Sequence, residues 1–398
     1  RKIQSEKISL KELFASFGSG LKYLKARYYL STKFNVLSSL RLKLLRKETS
    51  LVTFIYQMVI PLIATGGPGA SRVILLSSAI YFLGVGNTSE FGSDFFIVML
   101  LNTAFCQCFA FFLLKKEFSE SFNRIALQSL FGLMSSVLLL FTLNVVNLVE
   151  NFLLSSALLI ILHFYYLLRY QFIGEQRFGS LAVSEIVIST GCVVTPWIAS
   201  SYAIVDQSLI YLLYITSSLL GLICLISRAN SQVNDNKVVP FKNVFNISIS
   251  TTASILSVFL LPSLIKESVE PAIVSLVALS ISCLSVALLI PRTYANKVIK
   301  SLADENLCHK ELNKIQNKYK KLVVLSASIG LLGTYIYLFT ISGVTELWAL
   351  AIGICFILVS AQFGFVALPS LSLRGNDSEV ATLNLATLII SLGAILIY

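Results

Sequence analysis

The sequence predicts an all-α, polytopic membrane protein, and three observations support this fold class. Only 13% of its 398 residues are charged and 56% are hydrophobic, whereas soluble domains carry roughly a quarter charged residues. The apolar residues fall into separate runs of about twenty, the length that an α-helix needs to cross the hydrocarbon of a bilayer. Because backbone polar groups find no water there, such runs must be helical. Their pattern is wrong for the short, alternating strands of a membrane β-barrel.

The apolar runs predict about eleven transmembrane helices in two groups. Six spans form an N-terminal bundle (residues 73–228), a polar cytoplasmic linker follows (residues 229–243), and five spans form a C-terminal bundle (residues 244–398). A twelfth span beyond Tyr398 would complete two bundles of six. The predicted spans are Val73–Asn87, Phe91–Leu114, Ile125–Val146, Phe152–Phe172, Leu181–Tyr202, Leu209–Ser227, Val244–Ile265, Ala272–Ile290, Leu322–Ile341, Leu347–Leu368 and Val380–Tyr398.

Residues 1–72 precede the first predicted span. Residues 1–50 hold twelve Lys and Arg but three Glu, and apolar residues recur among them at helical spacing. This pattern predicts a basic amphipathic helix on the anionic inner leaflet. Leu51–Ala64 is apolar but short and contains Pro61, so we expect an interfacial or re-entrant piece that ends at Gly66–Gly69.

The distribution of Lys and Arg predicts the orientation of the spans. With the N-terminus in the cytoplasm, thirty of the thirty-one basic residues fall in inner segments, and Lys266 alone falls outside. The outer turns carry carboxylates instead, among them Glu90 and Glu150. Because a wrong number of spans would scramble this alternation, the charges support both the count and a cytoplasmic N-terminus.

Two carboxylates within the spans are candidate functional residues, because ionisable groups are costly inside a membrane. Asp94 lies just inside the outer end of the second span, where it either snorkels to the surface with Glu90 or serves a function. Glu185 lies about one turn inside the fifth span. It either faces a cavity or pairs with Arg177 or Arg169 near the inner face.

The end of the fourth span is rich in aromatic and polar side chains and has two interpretations. Arg169 and the neighbouring tyrosines form an interfacial belt, with the arginine snorkelling to the surface. Alternatively, Arg169 lines an internal site for an anionic headgroup, because its planar fork suits phosphate oxygens. In that case His163, Tyr166 and Gln171 offer stacking and hydrogen bonds to a sugar.

No catalytic, metal-binding or nucleotide-binding motif stands out, so neither an enzyme activity nor a metal or cofactor is expected. The chain has two histidines, no H-E-x-x-H motif and no P-loop. Its seven cysteines are odd in number and lie mostly in apolar runs, which argues against a disulfide framework. The net charge of +11 favours anionic lipid as a partner over nucleic acid.

Four features occur in an order that is similar to a known transporter family. The first span leads into an outer turn with an acidic–Phe–Gly sequence, Ser89–Gly92, and the fourth span closes on Arg169 before a basic turn that reaches Arg177. A polar linker precedes the seventh span, and Ile290–Arg292 ends the eighth before a long basic segment. In these features the stretch Val73–Tyr398 resembles the O-antigen and polysaccharide flippases of the multidrug, oligosaccharidyl-lipid and polysaccharide exporter superfamily.

The resemblance implies two helix bundles arranged as a V around a cationic cavity. Such proteins move undecaprenyl-pyrophosphate-linked oligosaccharide from the inner to the outer leaflet of the bacterial inner membrane by alternating access. By this likeness Arg169 and Arg177 would attract the pyrophosphate. Glu185 and Asp94 would serve ion coupling or sugar contact, and a polysaccharide polymerase of the same pathway would be a candidate partner.

The sequence leaves two alternative functions open. A membrane-embedded polysaccharide polymerase or glycosyltransferase of the same pathway usually has a sizeable outer loop with catalytic arginines or carboxylates, but the predicted outer loops are only a few residues long. A drug or cation antiporter of the same superfamily would bury carboxylates deep in a bundle. The middles of these spans hold almost none, so the sequence favours the flippase.

Overall fold

The computed structural model describes most of the chain from Met58 onward. The described residues are 58–114, 118, 121–201, 207–229, 238–302, 309–342, 348, 351–355, 359, 378, 379, 382, 385, 386 and 389. The predicted amphipathic helix near the N-terminus and most of the last two predicted spans lie outside them. The chain divides into two compact units, Arg1–Pro61 and Leu62–Tyr398, and the contacts reported below lie within the second unit.

The described residues fold into helices joined by short connections, and no strand occurs among them. In chain order the α-helices are α1 (Ile60–Leu83), α2 (Ser89–Leu101), α3 (Cys108–Ala110), α4 (Phe122–Val145), α5 (Phe152–Gly174), α6 (Phe178–Ser201), α7 (Gln207–Ile226), α8 (Phe241–Ile265), α9 (Pro271–Ala287), α10 (Leu289–Leu302) and α11 (His309–Ser342).

Within the described residues, five helical stretches are long and apolar enough to cross a membrane. A sixth results if α9 and the start of α10, which bend by 47° at their junction, count as one span. These helices confirm the coarser prediction of a helical chain suited to a membrane. The five stretches are Ser89–Leu114, Phe122–Val145, Phe152–Gly174, Ser208–Ile226 and Lys310–Thr340.

Helix α1 crosses the position where the sequence predicted a break. We expected the preceding apolar piece to end at Gly66–Gly69, but α1 is continuous from Ile60 to Leu83 and includes Pro68. The helix instead ends at Gly84, whose φ of 91° is a conformation that favours glycine. Helix α1 therefore begins thirteen residues before Val73, where the first span was predicted to start.

Small residues in α1 explain why the helix continues through this stretch. A side chain at Gly66 would collide with Leu289, at the start of α10. Glycines that break helices in water permit close helix approach in a membrane, where surrounding helices stabilise the backbone.

A π-helical segment, Asn102–Gln107, interrupts the second span between α2 and α3. Such a segment departs from the regular hydrogen-bond ladder and is often found at functional positions. The Ser248 hydroxyl of α8 donates to the Ala104 carbonyl at 2.6 Å. The Ser136 hydroxyl of α4 lies 3.5 Å from the Leu101 carbonyl. Helices from both halves of the chain therefore pack against the irregular segment.

Helix α2 connects the two halves of the chain. It contacts α5 and α7 of the N-terminal half and α8 and α9 of the C-terminal half. The Thr88 hydroxyl, just before α2, donates to Ser275 of α9 at 2.9 Å. The Ser263 hydroxyl of α8 lies 3.3 Å from the Ser93 carbonyl of α2. Small polar residues of this kind allow close helix crossings and supply hydrogen bonds between helices.

Candidate functional site

An ion pair between Arg169 of α5 and Glu185 of α6 lies inside the helix assembly. Arg169 is 6% exposed and Glu185 is 1% exposed, and the Arg169 Nη1 donates to the Glu185 Oε1. The Tyr165 hydroxyl donates to the same oxygen at 2.5 Å. Residues four apart on a helix share a face, so Tyr165 and Arg169 reach one carboxylate. Of the two positions expected for Glu185, the structure has the one paired with Arg169.

Helix α1 forms a further wall of this site. The Arg169 Nη2 donates to the Thr65 carbonyl at 3.2 Å. Gly67 approaches Glu185 so closely that a Cβ at position 67 would collide with the glutamate side chain. The Asn296 amide of α10 lies 3.4 Å from the Thr65 hydroxyl. The site is therefore built where α1, α5 and α6 meet, with the C-terminal half adjacent.

A second arginine gives the site an excess of positive charge. Arg72 of α1 is 8% exposed, and its Nε donates to the Pro68 carbonyl at 2.7 Å. Its charge reaches Glu185, yet within the described residues Arg72 forms no ion pair. Arg292 of α10 lies within electrostatic reach of Arg72. Buried charges are costly unless they are compensated, so this arrangement favours an anionic ligand.

His163 and Tyr166, the predicted sugar contacts on α5, lie in different places. Tyr166 is buried beside Tyr165, with ring centroids 5.7 Å apart, and is therefore next to the ion pair. His163 is fully buried, and its Nε2 lies 3.0 Å from the Ser129 hydroxyl of α4. Because His163 and Tyr165 are two residues apart, they point to different faces of α5.

Arg177 lies in the turn between α5 and α6, and Gln171 lies in the last turn of α5. The Arg177 Nη1 pairs with Glu175 at 3.0 Å, and its Nη2 donates to the Arg228 carbonyl at 2.5 Å. The Gln171 amide donates to the other Glu175 oxygen at 3.0 Å. These contacts fix the turn to the end of α7, and Arg177 does not join Arg169 in the interior.

Asp94 of α2 lies near the start of α5. It is fully buried, and its carboxylate accepts the backbone N–H groups of Glu150 and Asn151 at 3.1 and 3.0 Å. The Tyr211 hydroxyl of α7 donates to it at 2.8 Å. A carboxylate at a helix N-terminus is favoured by the helix dipole, so Asp94 joins α2, α5 and α7.

The position of Asp94 separates it from the interior ion pair. Its side chain does not snorkel to the surface beside Glu90, because it is buried and bonded to backbone. Arg169 follows Asn151 by eighteen positions along the chain, a distance of about 27 Å along the helix axis. Asp94 and Glu185 therefore belong to different ends of the bundle.

Sequence reasoning missed three residues of the interior site: Gly67, Arg72 and Tyr165. Arg72 was assigned to an inner segment because the first span was drawn from Val73. An arginine within a helix that includes a glycine-rich stretch was the available signal, since intramembrane cations mark functional positions. Tyr165 was grouped with the other aromatic residues of the span, and its bond to Glu185 depends on the rotation of α5.

The described residues contain no group of three or more His, Cys, Asp or Glu side chains that could hold a metal ion. Comparison with protein-family models and with curated proteins finds no match to the chain. The interior Arg169–Glu185 site, with Arg72 beside it, is therefore the best guide to function.

Proposed function

We propose that the chain is a flippase that moves an undecaprenyl-pyrophosphate-linked oligosaccharide from the inner to the outer leaflet of a bacterial inner membrane. The proposal is supported by the buried site in which Arg169 pairs with Glu185 and a second buried arginine, Arg72, lies within electrostatic reach of that carboxylate. Guanidinium groups bind phosphate oxygens through charge-assisted hydrogen bonds. A cargo with a pyrophosphate group would compensate the excess positive charge, and apolar helix surfaces would accommodate its lipid.

The proposed architecture is a V of two bundles, with eleven spans or twelve if one follows Tyr398. Alternating access requires the two halves to move against each other around a site near their junction. The contact of Asn296 with Thr65 brings the C-terminal half to the interior site. The packing of α2 against α8 and α9 gives a second junction between the halves. Arg177, His163, Tyr166 and Gln171 would contact cargo at other stages of the cycle.

The proposal is tested in a bacterium that lacks its own flippase and carries the sugar-synthesis genes that match this chain. The full chain should restore surface polysaccharide and prevent lipid-linked units from accumulating inside the cell. Arg169→Gln and Arg72→Gln should each lower surface polysaccharide by about tenfold or more, because each removes a charged hydrogen-bond donor. The matched control is Arg124→Gln, since Arg124 of α4 is exposed.

Two results would reject the proposal. The first is no surface polysaccharide from the wild-type chain, although the protein is folded in the membrane and the matching sugar pathway is present. The second is undiminished surface polysaccharide from the double variant Arg72→Gln/Arg169→Gln. In the second case the interior arginines would have no part in transport.

A further inference from the structure

We infer that Glu185 is an internal competitor of the cargo: its carboxylate occupies the position on Arg169 that a phosphate group takes when the lipid headgroup binds. The inference rests on the proposed function and deepens it. It places the anion site at Arg169 and Arg72, and it names Glu185 as the group that must leave. The ligand class is a phosphate or pyrophosphate ester.

Within the part of the chain that the structure describes, only one of the two carboxylate oxygens of Glu185 is hydrogen-bonded. Its Oε1 accepts hydrogen bonds from Arg169 and Tyr165. Its Oε2 is buried and has no hydrogen-bond partner among the described residues. A carboxylate can accept about four hydrogen bonds, and a buried polar atom without a partner is costly. This contact is therefore weaker than a fully bonded ion pair, which makes Glu185 easier to replace.

Arg169 also does not make the two parallel hydrogen bonds that a guanidinium group can form with one anion. Only Nη1 bonds to Glu185, and Nη2 bonds to the Thr65 carbonyl. A guanidinium binds carboxylate or phosphate most strongly when two parallel N–H groups reach two oxygens. A phosphate that approaches with two oxygens would thus make a better contact with Arg169 than the single oxygen of Glu185.

Arg72 supplies the second cation that a multiply charged ligand requires. Arg72 is buried and lies within electrostatic reach of the same carboxylate, so it would also attract an anion that binds at Arg169. A pyrophosphate ester carries at least two negative charges and would compensate both cations, whereas Glu185 compensates one. The charge balance of the interior is therefore better with the ligand than with Glu185 alone.

Displacement of Glu185 from Arg169 by the ligand would also loosen the contact between α5 and α6. Tyr165 and Arg169 both bond from α5 to this one residue of α6. When the ligand binds to Arg169 in place of Glu185, the hydrogen bond between Arg169 of α5 and Glu185 of α6 is lost. Binding and helix movement would be coupled, because the ligand has different contacts in the two arrangements.

The test measures binding of geranylgeranyl pyrophosphate to the purified full chain in neutral detergent by isothermal titration calorimetry. Glu185→Gln removes the competing charge and keeps the shape, so affinity should rise about tenfold, as for the loss of one charged hydrogen bond. The matched control is Glu150→Gln, since Glu150 also pairs with a cation, Lys266, but in a loop before α5. This control should bind as the wild type does.

The neutral pair Arg169→Gln/Glu185→Gln completes the test. It avoids leaving one buried charge uncompensated, which would destabilise the fold. It should fold and bind the lipid about tenfold more weakly than the wild type, because the guanidinium is absent. If the double variant binds as the wild type does, Arg169 is not part of the anion site.

A folded Glu185→Gln variant with unchanged or weaker affinity would overturn the inference. If this variant does not fold, Glu185→Asp takes its place, because it keeps the charge but shortens the reach to Arg169. Its affinity should also rise, and an unchanged value would overturn the inference. Inorganic pyrophosphate serves as a second probe. If Glu185→Gln raises the affinity for pyrophosphate as much as for the lipid, the site recognises the headgroup alone. If it raises only the affinity for the lipid, the site recognises a lipid-anchored headgroup.

The outcome is separable from that of the proposed function. A tighter Glu185→Gln complex without restored surface polysaccharide would reject the flippase but keep the anion site. Restored polysaccharide with unchanged Glu185→Gln binding would keep the flippase and reject Glu185 as competitor.

Discussion

At the scale of single residues, Gly67 determines how closely α1 approaches the interior ion pair. A side chain at this position would collide with Glu185, and the carboxylate is held from the other side by Tyr165 and Arg169. Because Gly67 has no side chain, α1 leaves room for the Glu185 side chain, so the space above Gly67 is part of the site.

Gly67→Ala should destabilise the protein by about 1–3 kcal/mol, the usual cost of overpacking a filled interior. Thermal unfolding of the purified protein in detergent measures the effect. The control is Gly179→Ala in α6, where an added Cβ meets no atom within 4 Å and helix propensity favours alanine. Equal unfolding temperatures for the two variants would show that α1 does not press on Glu185.

Asp94 is the second residue whose environment predicts a measurable effect. Asp94→Asn removes the charge and turns one acceptor into a donor that faces backbone N–H groups. We expect a loss of about 1–2 kcal/mol of stability, from the helix dipole and the hydrogen bonds together. Thermal unfolding again measures it, with Glu90→Gln on the same helix as the control. A variant as stable as that control would mean that Asp94 does not support α5.

The sequence located these ionisable residues but did not determine which partners they have. Both Arg169 and Arg177 were within range of Glu185 along the chain, and the choice depends on how α5 and α6 are rotated against each other. Similarly, the depth of Asp94 was predicted, but its backbone partners belong to the loop before α5. Contacts between helices distant in sequence require a packed structure, which hydropathy alone does not supply.

At the scale of helices, the π-helical segment of the second span receives a hydrogen bond from a neighbouring helix at Ala104. Ser248→Ala should cost about 1 kcal/mol, since the Ala104 carbonyl would lose its donor in a buried place. Ser328→Ala of α11 is the control, because the Ser328 hydroxyl is exposed and bonds within its own helix. Equal thermal stability of the two variants would contradict a supporting role for Ser248.

Hydropathy predicted the ends of most described helices but not their irregularities. The predicted span Phe152–Phe172 corresponds to α5, Phe152–Gly174, because apolar length fixes where a helix enters and leaves the hydrocarbon. The continuity of α1 through Gly66–Gly69 was not predicted, because those residues break helices in water and act as contact surfaces here. The π-helical segment has no distinctive composition and gave no signal.

At the scale of the whole molecule, residues predicted on one side of the membrane contact each other. Glu150 and Lys266, both assigned to outer turns, form an ion pair. Arg177 and Arg228, both assigned to inner segments, are joined by a hydrogen bond. The distribution of Lys and Arg could predict which connections share a side, because the chain changes sides at each span and basic residues are concentrated in every second connection. Which end faces the cytoplasm stays a prediction, as does the total number of spans.

Cysteine labelling tests the orientation. Ser268→Cys, beside Lys266, should react with a membrane-impermeant maleimide in intact cells. Ser227→Cys, at the end of α7, should react only after the membrane is permeabilised, because it is predicted to lie inside. Both serines are exposed, which makes them a matched pair. The reverse pattern would invert the orientation, and labelling of both in intact cells would contradict their assignment to opposite sides.

The close approach of Gly67 to Glu185 also constrains how this protein can evolve. The atom nearest to an added side chain at position 67 is the Cβ of Glu185, which every residue except glycine carries, so a shorter residue at position 185 would not make room for it. Because Glu185 also compensates Arg169, loss of the carboxylate would favour loss of the guanidinium as well. In related chains position 67 should therefore stay glycine whatever stands at position 185, whereas positions 169 and 185 should change together.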